Sequence, residues 1–200
     1  MEHYFSKKPT SALKTKDVVF SFHNHALHFL CASGVFSSQK IDFATQLLLE
    51  HAQLTHKQDV LDIGCGMGVI GISIKKAFSE STVVMTDVNE RALEIAKRNA
   101  LKNTVSVEIL GSNLYEQLSG RTFDVIISNP PHHAGRELVY ALIEQAPKHL
   151  NARGTLQIVA QHNKGGAMLE KKMKDVFGNV EVLVKKAGFR VYCSVYCSLS

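Results

Sequence analysis

A strand that runs into a cluster of glycines is the feature that most constrains how this chain can fold. The segment Val60-Leu-Asp-Ile-Gly-Cys-Gly-Met-Gly-Val-Ile-Gly71 places glycines at 64, 66, 68 and 71, directly after an apolar run. Glycines at such a junction permit a tight turn and let a ligand lie against bare backbone N–H groups before a helix. The segment therefore predicts a strand, a turn and a helix that together bind a nucleotide-like ligand.

The rest of the chain repeats this unit. Apolar, β-branched runs alternate with longer amphipathic segments, which is typical of a doubly wound, mostly parallel sheet. We expect strands at 59–63, 82–87, 105–110, 123–128 and 155–160, and helices at 69–78, 90–101, 135–150 and 164–177. Two further strands, at 180–185 and 190–196, flank a glycine-containing turn and predict a C-terminal antiparallel hairpin, which brings the sheet to seven strands.

The first forty residues have a different sequence pattern from the rest of the chain. Segments 18–22 and 26–31 predict a small hairpin, and 42–52 predicts a helix. Because no Pro-, Gly- or Ser-rich linker follows, we expect one domain of ordinary to generous size over 1–200, with 1–40 as an N-terminal cap and 41–200 as the core.

Composition narrows the class of protein. The 200 residues are 45% hydrophobic, contain no apolar run of membrane-spanning length and begin without a signal peptide, so we expect a soluble cytoplasmic protein. The net charge of +5 permits a polyanionic partner but does not demand one.

The cysteines and histidines do not point to a metal. All four cysteines are expected to be reduced, with Cys193 and Cys197 on one buried face of the last strand. His23, His25 and His28 have a spacing that could bind a metal, but a solvated hairpin turn explains them better, so no metal site is expected.

Two acidic residues indicate the charge of the ligand. Asp62 lies two residues before Gly64, and a carboxylate aimed into the pocket would repel a pyrophosphate but suit the sulfonium and ammonium groups of S-adenosylmethionine. Asp87 ends the next strand, where sites of this kind hydrogen-bond ribose hydroxyls. The pair therefore favours S-adenosylmethionine over a nicotinamide dinucleotide, although Gly66-x-Gly68-x-x-Gly71 fits the dinucleotide pattern.

A rigid turn at the end of the fourth strand indicates the group that reacts. In Asn129-Pro130-Pro131-His132 two prolines fix the backbone, so the Asn129 side chain and the Pro130 carbonyl can both act as acceptors. Two acceptors suit the two hydrogens of an exocyclic NH₂ and would orient its lone pair toward an incoming methyl group. His132 could stack on a base or accept from it.

These motifs together resemble class I S-adenosylmethionine-dependent N-methyltransferases, with their Rossmann-like fold. The segments 32–37, 42–49, 68–71, 113–116 and 129–133 are similar more narrowly to the "methyltransferase small" group. That group includes the ribosomal RNA small-subunit methyltransferase C type, which makes N2-methylguanosine, and compact archaeal relatives.

The resemblance implies a role for each matching residue. Asp62, Gly64, Cys65 and Gly66 would surround the methionine part of the cofactor, Asp87 and Val88 would hold ribose and adenine, Asn113 and Leu114 would border adenine, and Ser33, Gly34, Val35 and Phe36 would close over the pocket. Asn129 would border the cofactor and, with Pro130, Pro131 and His132, form the catalytic turn. Asn113 replaces the family's usual Asp, and His132 replaces its usual aromatic residue.

The most favoured substrate is guanine N2 in small-subunit ribosomal RNA, as free RNA or as a small-subunit particle. A protein glutamine side chain is the main rival, because a primary amide offers an NH₂ to the same acceptors, and adenine N6 in DNA is a third option. A non-catalytic RNA-binding module would explain the charge but not the Asn-Pro-Pro turn, and a nicotinamide oxidoreductase would explain only the glycines.

Overall fold

The computed structural model describes residues 15–33, 40–131 and 135–197. Its strands and helices, numbered in chain order, are β1 (Thr15–Phe22), β2 (His25–Ala32), α1 (Phe43–His51), β3 (Asp59–Ile63), α2 (Val69–Ala77), β4 (Thr82–Asp87), α3 (Glu90–Lys102), β5 (Glu108–Gly111), β6 (Phe123–Ser128), α4 (Arg136–Gln145), β7 (Leu150–Gln161), α5 (Gly166–Phe177), β8 (Glu181–Lys186) and β9 (Phe189–Val195). No helix within these ranges is long and apolar enough to cross a membrane.

The central sheet has the predicted doubly wound form. Its seven strands lie in the order β5-β4-β3-β6-β7-β9-β8, parallel from β5 to β7 and antiparallel at β9 and β8. The chain runs outward from β3 through β4 to β5 and then returns to β6 on the other side of β3. Strand order therefore reverses between β3 and β6, and ligands in such sheets bind at the carboxyl ends of the two strands where this happens.

Both faces of the sheet are covered, which explains why its inner strands are apolar at successive positions. Val60 packs into a cluster with α1, α2 and α3, whereas its neighbour Leu61 packs into a second cluster with α4 and α5. Side chains alternate across a strand, so a strand buried on both sides needs an apolar residue at each position. Asp62, in the middle of this strand, is a polar exception.

The N-terminal hairpin is confirmed and is held against α3 by two asparagines. Asn99 accepts from the N–H of Leu30 at 2.7 Å and donates to its carbonyl at 3.1 Å, and Asn103 makes the same pair of bonds with His28. The two amides hydrogen-bond the edge of β2 as a neighbouring strand would, so the backbone N–H and C=O groups of His28 and Leu30 are satisfied without a third strand.

Three elements of the core differ most in extent from the prediction. The helix expected to run to residue 150 stops at Gln145 and continues as a 3₁₀ turn over Ala146–His149, because Pro147 has no N–H to donate. β5 begins at Glu108 rather than at 105, because Val105 N–H closes the end of α3 by donating to the Ala100 carbonyl. β7 begins at Leu150 rather than at 155, with Arg153 in the left-handed region at φ 65°.

The prediction for Cys197 is wrong. Cys193 is buried within β9 as expected, but β9 ends at Val195 and Cys197 is exposed beyond it. The period of two that placed both thiols on one face stops before the second is reached.

Candidate functional site

The glycine turn lies at the end of β3, beside the end of β6. Ser128 at the end of β6 donates its hydroxyl to the Ile63 carbonyl at 2.8 Å, so the two strand ends are joined. Gly64 has φ +71°, and no atom lies within 4 Å of the place where its Cβ would be. A Cβ on Gly71 would lie 2.3 Å from the Met85 sulfur. Gly64 therefore opens the backbone to a cavity, and Gly71 lets α2 pack closely on β4.

Asp62 lies beneath this turn and carries the most unusual electrostatics of the site. Its side chain is fully buried, Oδ2 accepts from the Gly71 N–H at 2.9 Å, and Oδ1 has no hydrogen-bond partner. Burial raises the pKa of Asp62 from 3.8 to about 7; the Gly71 N–H opposes that rise and the charge of Asp87 adds to it.

Asp87 ends β4 and connects the glycine turn to the next helix. Its Oδ2 accepts from the Gly66 N–H and its Oδ1 from the Asn89 N–H, both at 2.9 Å. Each carboxylate oxygen can accept more than one hydrogen bond, so Asp87 can hold the turn and also bind a ligand hydroxyl.

Two adjoining cavities open at this edge of the sheet and share Gly64 and Pro131. The first lies between α1 and the glycine turn, and its wall contains Ile41, Asp42, Thr45, Gly64, Cys65, Gly66, Met67, Val69, Ile70, Asn129 and Pro131. The second lies between β4 and α4, and its wall contains Ile63, Gly64, Asp87, Val88, Ser112, Asn113, Leu114, Ser128, Pro130, Pro131, Leu138 and Leu142. Together they form a bent cleft with a polar arm and a mostly apolar arm.

The orientation of the Asn129 amide is fixed by α1. Its Nδ2 donates to the Thr45 hydroxyl at 2.9 Å and approaches the two carboxylate oxygens of Asp42 at 3.3 and 3.4 Å. The Thr45 hydroxyl in turn donates to Asp42 Oδ2 at 2.5 Å. Because the Asp42 carboxylate can only accept, the Thr45 hydroxyl gives its hydrogen to Asp42 and can itself only accept from Asn129. The Asn129 NH₂ group therefore faces Thr45 and Asp42, and the Asn129 oxygen faces away from α1.

Several predicted site residues meet in the cleft. Gly64, Cys65, Gly66 and Asn129 line the polar arm, and Asp87, Val88, Asn113 and Leu114 line the apolar arm together with Pro130 and Pro131. Burial, together with Asp87 and Asp62, raises the pKa of the Cys65 thiol, which favours the neutral form. The Asn113 NH₂ group donates to Glu116 at 2.7 Å, so its oxygen keeps its capacity to accept.

Other predicted residues lie elsewhere. Asp62 does not form part of either wall, because it packs beneath the turn rather than pointing into the cleft. Ser33 does not line the cleft either, and its carbonyl accepts from Arg91 at 3.1 Å. Gly34, Val35, Phe36 and His132 lie outside the described residues.

The sequence analysis did not predict the contact of Asp42 and Thr45 with Asn129. In the structure Asp42 is the N-cap of α1 and accepts from the Thr45 N–H at 3.0 Å. A capping Asp at the start of a helix is common, and 84 residues separate Thr45 from the asparagine that it meets. Only the resemblance of segment 42–49 to a known family set these residues apart.

The cleft fits the cofactor that the sequence predicts. Gly64 offers bare backbone, Asp87 offers a carboxylate to ribose, and the unpaired Oδ1 of Asp62 is a buried negative end that a cation above the turn would stabilise. Within the described ranges no group of three or more His, Cys, Asp or Glu could hold a metal ion.

Comparison with known sequences identifies related proteins. The methyltransferase small domain matches residues 26–193. The uncharacterized protein YbxB of Bacillus subtilis is 37% identical over 193 residues, covering 95% of this chain and 96% of its own length. Ribosomal RNA small subunit methyltransferase C of Haemophilus influenzae is 40% identical over 165 residues, covering 80% of this chain. The match spans 48% of that longer protein.

Solved structures share the fold. The 16S rRNA N2 G1207 methyltransferase RsmC of T. thermophilus, solved with AdoMet and guanosine, superposes with a TM-score of 0.81 at 24% identity. The superposition covers 94% of this chain and 52% of that one. A methyltransferase from Pyrococcus furiosus gives a TM-score of 0.68 at 25% identity over 76% of this chain and 81% of its own.

Proposed function

Because this chain belongs to the methyltransferase small domain family and its cofactor is S-adenosylmethionine, we propose that it methylates guanine N2 in small-subunit ribosomal RNA. The observation that carries the proposal is the orientation of Asn129. Its NH₂ group is held by Thr45 and Asp42, so its oxygen is the atom presented to a substrate.

The proposed chemistry needs positioning more than a strong base. S-adenosylmethionine supplies the activated methyl group. The oxygen of Asn129 and the carbonyl of Pro130 accept the two hydrogens of an exocyclic amine and turn its lone pair toward the cofactor. Within the described part of the chain nothing donates to the Pro130 carbonyl, so both acceptors are available.

The network behind Asn129 strengthens it as an acceptor. The carboxylate of Asp42 polarises the Thr45 hydroxyl and the Asn129 NH₂ group, and hydrogen bonds in such a chain reinforce one another. The cofactor would release its methyl group and keep the electrons of the broken C–S bond. The amine nitrogen would gain positive charge as its lone pair forms the N–C bond, the polarised Asn129 oxygen would stabilise that charge, and the nitrogen would then lose a proton to water.

In the proposed cofactor site, the polar arm of the cleft holds the methionine part and the apolar arm holds adenosine. Asp87 binds the ribose hydroxyls, and Val88 and Leu114 pack against adenine with Asn113 at its edge. Asp62 acts from beneath the turn as a negative charge rather than by direct contact.

Ribosomal RNA is favoured as substrate by three observations. The relatives of this chain include proteins named for small-subunit ribosomal RNA methylation, and one fold neighbour was solved with guanosine. The net charge of +5 suits a phosphate backbone better than a protein amide. A target base must be unstacked or single-stranded to reach the Asn129 turn. Such an enzyme would work in the cytoplasm, on free RNA or on the small-subunit particle.

The test is to supply labelled S-adenosylmethionine to ribosomal RNA, DNA and total protein in parallel and identify the modified unit by mass spectrometry. We expect N2-methylguanosine in small-subunit RNA. N6-methyladenosine would move the substrate to adenine. Methylglutamine in a protein, with RNA unmodified, would refute the assignment. Absence of transfer to any of them, with RNA still bound, would indicate a non-catalytic RNA-binding module.

A further inference from the structure

A third cavity lies on the other side of the Pro130-Pro131 turn, and none of the cofactor residues except these two prolines borders it. It opens between the N-terminal ends of α4 and α5 and has a volume of about 330 Å³. That volume is at the lower end of the range usual for small-molecule sites, which suits a single nucleotide.

We propose that this cavity binds the nucleotide next to the methylated one, with the phosphodiester between them held by Arg136 and Lys164. The proposal rests on the proposed function and extends it, because it names the part of the RNA that this surface recognises.

The charge of the cavity supports an anionic occupant. Arg136 and Lys164 both line it, and neither makes an ion pair or hydrogen bond with any residue in 15–33, 40–131 or 135–197. No acidic side chain is part of the wall. Glu144 on α4 and Glu170 on α5 are paired with Lys172 and Arg190 respectively. Glu137, in the first turn of α4, is exposed and does not line the cavity. Two unneutralised cations therefore face one opening.

The rest of the wall is apolar, as a base or sugar requires. Val139 and Met168 face the cavity beside Pro131, and Met168 is 41% exposed although it is a large hydrophobic side chain. Every base has an apolar face, so such a wall binds without strong sequence preference. An acidic peptide would use the cations but not this apolar wall, and a lipid surface would need a larger apolar patch.

The position of the cavity identifies which nucleotide it holds. Asn129 lines the cofactor cleft but not this cavity, so the reacting amine would meet the turn at Asn129, beside the cofactor. Pro131 lines both, so a nucleotide in this cavity is directly adjacent to the reacting one. The phosphate that joins two such nucleotides falls between the turn and the cations.

The experiment compares Arg136→Ala, Lys164→Ala and the double variant with Lys174→Ala. Lys174 is an exposed cation at the far end of α5, so its removal changes the net charge equally but leaves the cavity intact. Binding of a fluorescent single-stranded RNA octamer that contains the target guanine in unmethylated form is measured by anisotropy at several salt concentrations. Methyl transfer to the octamer and to free guanosine is measured in parallel.

We expect each cavity variant to weaken octamer binding by about threefold or more and to lower the slope of log affinity against log salt by about 0.7. Lys174→Ala should remain within about twofold of the original protein. The KM for the octamer should rise in the double variant, whereas the kcat and KM for guanosine, which has no phosphate, should not change. A misfolded variant would instead lose methyl transfer to both the octamer and guanosine.

Equal effects of Lys174→Ala and the cavity variants would overturn the proposal, because only net charge would then matter. Unchanged octamer binding in the double variant would overturn it as well. If the original protein methylates an RNA base other than guanine, and binding of that RNA still depends on Arg136 and Lys164, the guanine assignment fails and this inference stands.

Discussion

Replacing Asp62 with Asn should make the protein more stable at alkaline pH, although it removes a residue from the centre of the site. The carboxyl group of Asp62 is fully buried with one oxygen unpaired, and its pKa is raised from 3.8 to about 7. Between these two pKa values, the folded state therefore holds a proton on Asp62 that the unfolded state has lost. Stability is greatest where Asp62 is protonated and falls as pH rises through the folded pKa.

The size of the effect follows from the two pKa values. Between about pH 4 and about pH 7 the free energy of unfolding falls by about 1.4 kcal/mol per pH unit, since one proton separates the two states. The fall ends once the folded carboxyl is ionised, so the change from about pH 5 to about pH 8 sums to roughly 2.5 kcal/mol. Asn keeps an oxygen that can accept from Gly71 but has no charge, so Asp62→Asn should lose this dependence.

Urea denaturation at about pH 5, 6, 7 and 8, followed by circular dichroism because the chain has no Trp, measures the difference directly. Asp59→Asn is the matched control, because Asp59 is an exposed carboxylate on the same strand, β3. We expect the curves of the original protein and Asp59→Asn to be parallel and Asp62→Asn to diverge upward with pH. A cationic cofactor should relieve the charge, so S-adenosylmethionine should stabilise the original protein more at pH 8 than at pH 6. Parallel curves for Asp62→Asn would refute the reasoning.

Three further variants address the cleft. Asn129→Ala should lower kcat by about 100-fold or more while S-adenosylmethionine affinity stays within about tenfold, as labelled methyl transfer and calorimetry would show; transfer at the original rate would contradict it. Thr45→Val should lower kcat by about tenfold without changing the KM for cofactor, and Thr45→Ser should restore it, because only the hydroxyl orients Asn129; equal losses in both would indicate a packing role. Asp87→Ala should weaken cofactor binding by roughly 10- to 100-fold in calorimetry, from the lost ribose hydrogen bonds and the freed Gly66 N–H; unchanged affinity would exclude Asp87 from the site.

The sheet could be predicted from sequence because its signals are local. Strands buried on both faces contain runs of successive apolar residues, such as 83–85 in β4 and 125–127 in β6. Helix ends were also predictable where one residue decides them, as Gly178 does after α5 with φ +74°. The errors at β5 and β7 arose where backbone hydrogen bonds from another element decide the boundary.

The direction of a side chain was harder to predict than its place in the chain. Asp62 lies two residues before Gly64, so a contact with the ligand seemed natural from spacing alone. In the fold its carboxylate turns toward the Gly71 N–H at the start of α2, and the glycine turn covers it. From that position Asp62 would act on a bound cation electrostatically through the turn, as proposed above, and spacing cannot distinguish this from direct contact.

The same limitation applies to the Asn-Pro-Pro turn, and there it has a chemical consequence. Two prolines fix the backbone, but they leave the Asn129 amide free to present either its oxygen or its NH₂ group. If the Asn129 NH₂ group faced the amine of a substrate, two donors would face each other and no hydrogen bond could form. The choice is made by Asp42 and Thr45, which accept the NH₂ hydrogens and would repel the oxygen. Since Asp42 also caps α1, the start of that helix and the orientation of the acceptor depend on one carboxylate. Under the proposed function, the motif would therefore present an acceptor only together with residues more than 80 positions earlier in the chain.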